Sequence, residues 1–342
     1  MISMKKIKVV QIGIGHDHAM PVLDRLLAHP EIFGVAALGI PEKERKAFPD
    51  RVARYEKIVP VMSPEDALEL SGVDAAVIET EEINLTRYAI LATKKGLPIH
   101  MDKPGGLELG AFEELIHIVR TNQSVFHLGY MYRYNDSIAE AVRKAKSGEL
   151  GEIYSVEAQM NCWHVPEKRQ WLSQFPGGMM FYLGCHLVDL ILQIMDEPED
   201  IIPMNVSTGI DGVTSADYGF ALFRYPRGVA FAKTCTTELG GFLRRQLVIC
   251  GSKGTMELRP LEQYCREEEL VTGIRSVTEE NGRDWYCQIP TVNSAAINRY
   301  DRMLESFAKM VCGDMENLYG YDYELTLYKT LLRACGVEMK ER

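Results

Sequence analysis

Three short segments of the 342-residue chain carry residues whose types and spacing could do chemistry. In the first, Met101-Asp102-Lys103-Pro104-Gly105-Gly106, a lysine follows an apolar run. A lysine withdrawn from water beside a positively charged ring has a lowered pKa and can exchange a proton with an alcohol oxygen. A solvated loop lysine is the plain alternative, although the proline and the two glycines give this loop a defined shape. In the second, Tyr182 and His186 are four residues apart and His186 and Asp189 three, so one regular helix would stack all three on one face. Polar groups on an otherwise apolar helix need partners, and a core histidine with satisfied bonds is the competing account of His186. The third is Gly13-Ile14-Gly15-His16-Asp17-His18. Glycines there allow a tight turn and let a pyrophosphate approach a helix N-terminus.

The elements that must position these residues follow from periodicity. Apolar runs at 7–13, 33–38, 58–61, 74–78, 99–101 and 125–129 alternate with helical patterns. Ser63-Pro64-Glu65-Asp66 has the signature of a helix N-terminus. Strands separated by helices predict a doubly wound parallel sheet, a Rossmann domain over 1–130, with the glycine turn at its first strand-to-helix junction. From 131 to 342 the rhythm changes. A long strand at 151–162 and a helix over 180–195 precede strands at 201–208, 216–225, 228–237, 245–251 and 254–259, then helices at 294–312 and 322–338. This predicts an α+β domain with a large, open, mainly antiparallel sheet.

Composition narrows the function classes. A net charge of −10, from 38 Lys+Arg against 48 Asp+Glu, argues against a nucleic-acid partner. No run approaches the roughly 18 apolar residues of a membrane span. The N-terminus lacks a signal-peptide pattern, so a cytoplasmic location is expected. Eight cysteines, all from Cys162 onward and none in a CxxC pair, are expected to be reduced thiols. His16-Asp17-His18 invites a metal, but adjacent turn residues rarely converge on an ion without further ligands, and no metal site is expected. Trp163, His164 and Trp171, with Arg169 and Gln170, suit a carbohydrate through flat apolar faces and polar tips. A loop covering a domain junction is an equal alternative.

The GxG turn, VDAAVIET, the DKP loop, Gly129-Tyr130-Met131-Tyr132-Arg133-Tyr134-Asn135, SGELGEI and GCHLVDL occur in an order and spacing that resembles the glucose-fructose oxidoreductase/inositol dehydrogenase/MocA family. The resemblance covers nearly the whole chain. It implies NAD or NADP bound around Gly13, Ile14, Gly15, His16, His18, Gly39, Thr80, Asp102 and Lys103. It implies a sugar, glycoside or cyclitol substrate near Arg133, Trp163, His164, Trp171, Tyr182 and Asp189, and a homodimer or homotetramer through the C-terminal sheet. Lys103 takes the place of the family's catalytic lysine and His186 that of its general base, with hydride passing between a secondary alcohol and the nicotinamide. Asp102 stands where Glu is usual, and Tyr182 stands where an Asp is common, so its phenol becomes a candidate acid/base. Gly39 replaces the usual ribose-binding acid, which leaves NAD against NADP open. Glycoside cleavage through transient oxidation by tightly bound NAD is the alternative activity, and a non-catalytic dinucleotide or sugar sensor ranks last.

Overall fold

A computed structural model of the chain describes residues 5–339. Internal contacts divide it into two units, Met1–Tyr130 with Tyr300–Leu325, and Met131–Arg299 with Thr326–Arg342.

The first unit is built on six strands: β1 (Ile7–Ile12), β2 (Phe33–Gly39), β3 (Val61–Met62), β4 (Ala75–Ile78), β5 (Ile99–Met101) and β6 (Phe126–Leu128). Every pair is parallel and the order is β3-β2-β1-β4-β5-β6. Strand order reverses between β1 and β4, which opens a crevice at the carboxyl ends of the strands where open α/β sheets bind ligands. The central strands are apolar on both faces because helices cover both: Val9, Val10, Ile12 and Ala75 to Ile78 are fully buried. The expected cap forms, with the Asp66 N–H donating to Ser63 Oγ at 3.1 Å ahead of the helix Pro64–Leu68.

Residues 300–325, which sequence alone places in the second part, pack in the first. Their helix Asp301–Cys312 buries Met303, Leu304, Phe307 and Ala308 on one face. Phe307 lies 5.7 Å from the His100 ring on β5 and 5.5 Å from the His127 ring on β6. Burial of such an aromatic side chain is worth roughly 1.5–3 kcal/mol, and the apolar periodicity of the helix does not say which sheet receives it.

The second unit carries a larger sheet from β7 (Ile153–Asn161), β8 (Asp200–Pro203), β9 (Tyr218–Tyr225), β10 (Gly228–Cys235), β11 (Gln246–Gly251) and β12 (Gly254–Leu258), with β15 (Gly273–Thr278) and β16 (Val292–Asn293). The order is β16-β15-β12-β11-β7-β10-β9-β8. All neighbours are antiparallel except β7 and β10, parallel from Ser155/Val229 to Asn161/Cys235. That pairing is possible because helices and two strands lie between them in the chain. A small sheet, β13 (Gln263–Tyr264), β14 (Glu269–Val271) and β17 (Ile297–Asn298), falls in a stretch where exposed, charged residues hide any strand signal.

The expected helix over 180–195 is two helices, Met179–Tyr182 and Gly184–Met195, with Leu183 at φ −113° between them. Tyr182 therefore does not share a regular helix face with His186. The second helix is buried all round from Gly184 to Ile194, as a core helix is. Among the described residues no helix is long and apolar enough to cross a membrane.

Candidate functional site

In the first unit the glycine turn follows β1 at the crevice. Gly13 has φ +93°, and a Cβ there would lie 2.5 Å from Thr80. A Cβ on Gly15 would meet Glu81 at 2.7 Å and the Glu44 carboxyl carbon at 2.8 Å. The Ile14 N–H donates to Glu44 Oε2 at 2.7 Å and the Glu81 N–H to Glu44 Oε1 at 3.1 Å. Burial pushes the Glu44 carboxyl above its usual range, although the Ile14, Glu81 and Gly15 N–H groups act against this. Several backbone donors thus converge on one anion, the electrostatic property that a dinucleotide's phosphates and ribose acid both exploit at this turn.

Glu44 is a buried acid at this turn that sequence alone does not find. It comes from the helix Glu42–Ala47, beyond the end of β2, rather than from Gly39. Gly39 is instead required by packing, with Ile12 and Pro64 within 2.9 Å of where a Cβ would stand. Within PEKERKAF nothing distinguishes the buried Glu44 from its exposed neighbours Glu42 and Lys43.

Across the same crevice the Lys103 N–H donates to Asp102 Oδ1 at 2.6 Å, and Lys103 is only 2% exposed. It is a buried lysine and not a solvated one. Asp102 Oδ2 lies 2.9 Å from His18 Nδ1 and 3.2 Å from His16 Nδ1. Glu79 and Glu82 are buried beside them, with His16 Nε2 3.5 Å from Glu82 Oε1. Burial opposes ionisation of Asp102, but His16, His18 and Lys103 hold its pKa well below the carboxylate range. Burial and then the Asp102 charge push Glu79 well above that range, and burial pushes His16 well below the imidazole range. Gly13, Ile14, Gly15, His16, His18, Thr80, Asp102 and Lys103 therefore lie together at the carboxyl edge of one sheet.

The second unit sorts its residues differently. Arg133 and Asp189 meet each other. Arg133 donates from Nε to Asp189 Oδ2 at 3.0 Å and from Nη2 to Oδ1 at 2.9 Å, with both side chains 1% exposed. Gln193 adds a bond to Asp189 Oδ2 at 2.9 Å. His186 is buried, with the Tyr132 ring edge-on at 5.0 Å. The Tyr132 hydroxyl donates to Glu262, which also pairs with Arg245 and Arg299. Trp171 packs edge-on against Tyr182 at 5.6 Å, and Lys168 Nζ lies over both rings, at 3.8 Å and 4.8 Å. That ammonium is the cation beside the Tyr182 ring, a neighbour the spacing of the sequence does not announce. Trp163 stands 56% exposed on a bridge to Thr237, and the His164 N–H bonds to Thr236.

Comparison with known proteins gives this geometry a setting. Residues 138–257 match the GFO/IDH/MocA C-terminal domain. An uncharacterized oxidoreductase of Schizosaccharomyces pombe is 23% identical over 206 residues, 58% of this chain and 54% of that protein. The scyllo-inositol 2-dehydrogenase (NAD(+)) of Bacillus subtilis is 29% identical over 89 residues, 26% of each chain. The match thus spans about half the length of the first relative and less of the second. A 3-ketoreductase from Actinomadura kijaniata, crystallised with TDP-benzene and NADP, superposes with a TM-score of 0.73 at 16% identity, covering 96% of both chains. Residues 138–257 thus resemble the GFO/IDH/MocA C-terminal domain, and the two-part fold is one that the ketoreductase shares.

Proposed function

We propose that the chain is a nicotinamide-dependent oxidoreductase acting on a secondary alcohol, or the matching ketone, of a sugar, glycoside or cyclitol, with NAD preferred to NADP. The observation that carries this reading is the buried Lys103, held through its N–H on Asp102 at the sheet edge that carries the glycine turn. Oxidising an alcohol removes a proton from oxygen and a hydride from carbon, and a bound nicotinamide supplies the hydride acceptor. Lys103 holds the alcohol oxygen and favours its alkoxide character, and His186, by resemblance, takes the proton. Relatives named for inositol with NAD and for a ketoreductase holding NADP support the cofactor and substrate class. The preference rests on Glu44. A carboxylate at the glycine turn accepts ribose hydroxyls and repels a 2′-phosphate.

The test is nicotinamide absorbance with NAD or NADP against a panel of sugars, cyclitols and glycosides. Once a substrate is found, Lys103→Ala is expected to lower kcat by about 10²–10⁴-fold. Undiminished turnover in that variant would defeat the assignment.

A further inference from the structure

We propose that His16, His18 and Asp102 form a binding site for one divalent transition-metal ion at the carboxyl edge of the first sheet. The sequence supplies two imidazoles on a turn, and the Asp17 between them is exposed. The fold supplies a buried third ligand, Asp102, from the loop after β5, 84 residues beyond His18. One ligand atom from each residue lies within 4.8 Å of the others. The Asp102 Oδ2 separations of 2.9 Å and 3.2 Å are close to the ~3.3–3.5 Å edges of a tetrahedron with bonds of about 2.0–2.1 Å. Two imidazoles and a carboxylate favour zinc, cobalt or iron(II) over calcium or magnesium.

A second observation points to a ligand. The cluster sits in a shell of further buried groups, and its own bonding is incomplete. His16 Nε2, fully buried, makes no hydrogen bond of ordinary geometry among the described residues, and Glu79 is buried beside it against Asp102 and His100. Native structures rarely leave buried polar atoms in that condition without an ion or water. The same shell holds further candidate ligands. Glu79, Glu82 and Asp102 bring three carboxyl groups into one buried space beside the two imidazoles. Glu79 or Glu82 would complete the coordination of an ion held there. The site has a cost, because His16 Nδ1 already accepts the His18 N–H at 3.1 Å. Coordination through that atom exchanges a net bond of about 1 kcal/mol for a metal–nitrogen bond. The three ligands are also residues that the resemblance assigns to the dinucleotide, so ion and dinucleotide would share this edge, and the test uses neither dinucleotide nor substrate.

Purified full-length protein is stripped with chelator, dialysed and titrated with Co²⁺, following d–d absorption and heat. The expected result is about one ion per chain with visible bands of a nitrogen–oxygen site. His18→Ala, His18→Gln and Asp102→Asn are each expected to weaken binding by more than about tenfold, the lower end for disturbing even a supporting group of a metal site. Circular dichroism and melting report whether each variant folds, and His18→Gln keeps a polar side chain at a position 15% exposed. The Cys265→Ser/Cys287→Ser protein removes the two exposed thiols and is expected to bind unchanged. Absence of stoichiometric binding overturns the site. So does binding that survives in folded His18 and Asp102 variants, or that disappears with the two thiols.

Discussion

Acidification should weaken the first unit through one buried histidine. His100 on β5 is fully buried, with Nδ1 2.6 Å from His127 Nδ1, Nε2 3.5 Å from Glu79 Oε1 and Phe307 packed on its ring. Burial pushes its pKa down to about 4 from the ordinary 6.5. The folded chain therefore refuses a proton that the unfolded chain accepts between those values. Stability from this group is complete above pH ~6.5 and is lost as pH falls toward 4. The difference works out to about 2 kcal/mol at pH 5 and less than about 0.1 kcal/mol at pH 7.5, approaching about 3.4 kcal/mol below pH 4. His100→Gln removes the titration and keeps a polar side chain of similar reach. All three tryptophans, 163, 171 and 285, belong to the second unit, so their fluorescence does not report on this one. Urea unfolding should be read instead by pulsed hydrogen exchange on peptides spanning β5 and β6. Between pH 7.5 and 5 the natural chain is expected to lose about 2 kcal/mol more than the variant. The buried His16 adds a loss of the same sign to both chains and cancels in the comparison. Equal losses would refute the reasoning.

Other outcomes follow from the same physics. Asp189→Ala leaves Arg133 charged and buried without its bidentate partner, so a loss of about 3–5 kcal/mol is expected in chemical denaturation. Asp189→Asn keeps an acceptor for Arg133 and should cost less. If the alanine variant is as stable as the natural chain, the pair is not structural. Glu44→Gln removes the charge at the glycine turn and should raise the ratio of NADP to NAD affinity by about tenfold or more, an energy of ~1.4 kcal/mol, in paired titrations. An unchanged ratio would remove Glu44 from the account of cofactor preference.

Much of the fold was legible because its signals are local. Six apolar runs, helix stops at glycine and the Ser63 cap required only periodicity and turn chemistry, and the six-stranded parallel sheet follows from them. The Tyr182–His186 face was misread because a helical spacing does not reveal the break at Leu183. The destination of residues 300–325 depended on tertiary packing, since an amphipathic helix fits either sheet. In the site, the turn and the DKP loop could be found from residue type and position. What could not be found was whatever depends on long-range approach. Glu44 reaches back over the glycine turn, Asp102 meets two histidines, and Arg133 closes on Asp189. Each is a charge whose partner is distant in the chain, and single-sequence patterns carry no record of such pairings.

The most direct test of the central claim is isothermal titration of the purified chain with NAD and, separately, NADP. Saturable binding of about one NAD per chain, with weaker NADP binding, is the predicted result. No binding of either dinucleotide would contradict a nicotinamide-dependent enzyme, and tighter NADP binding would contradict the role given to Glu44.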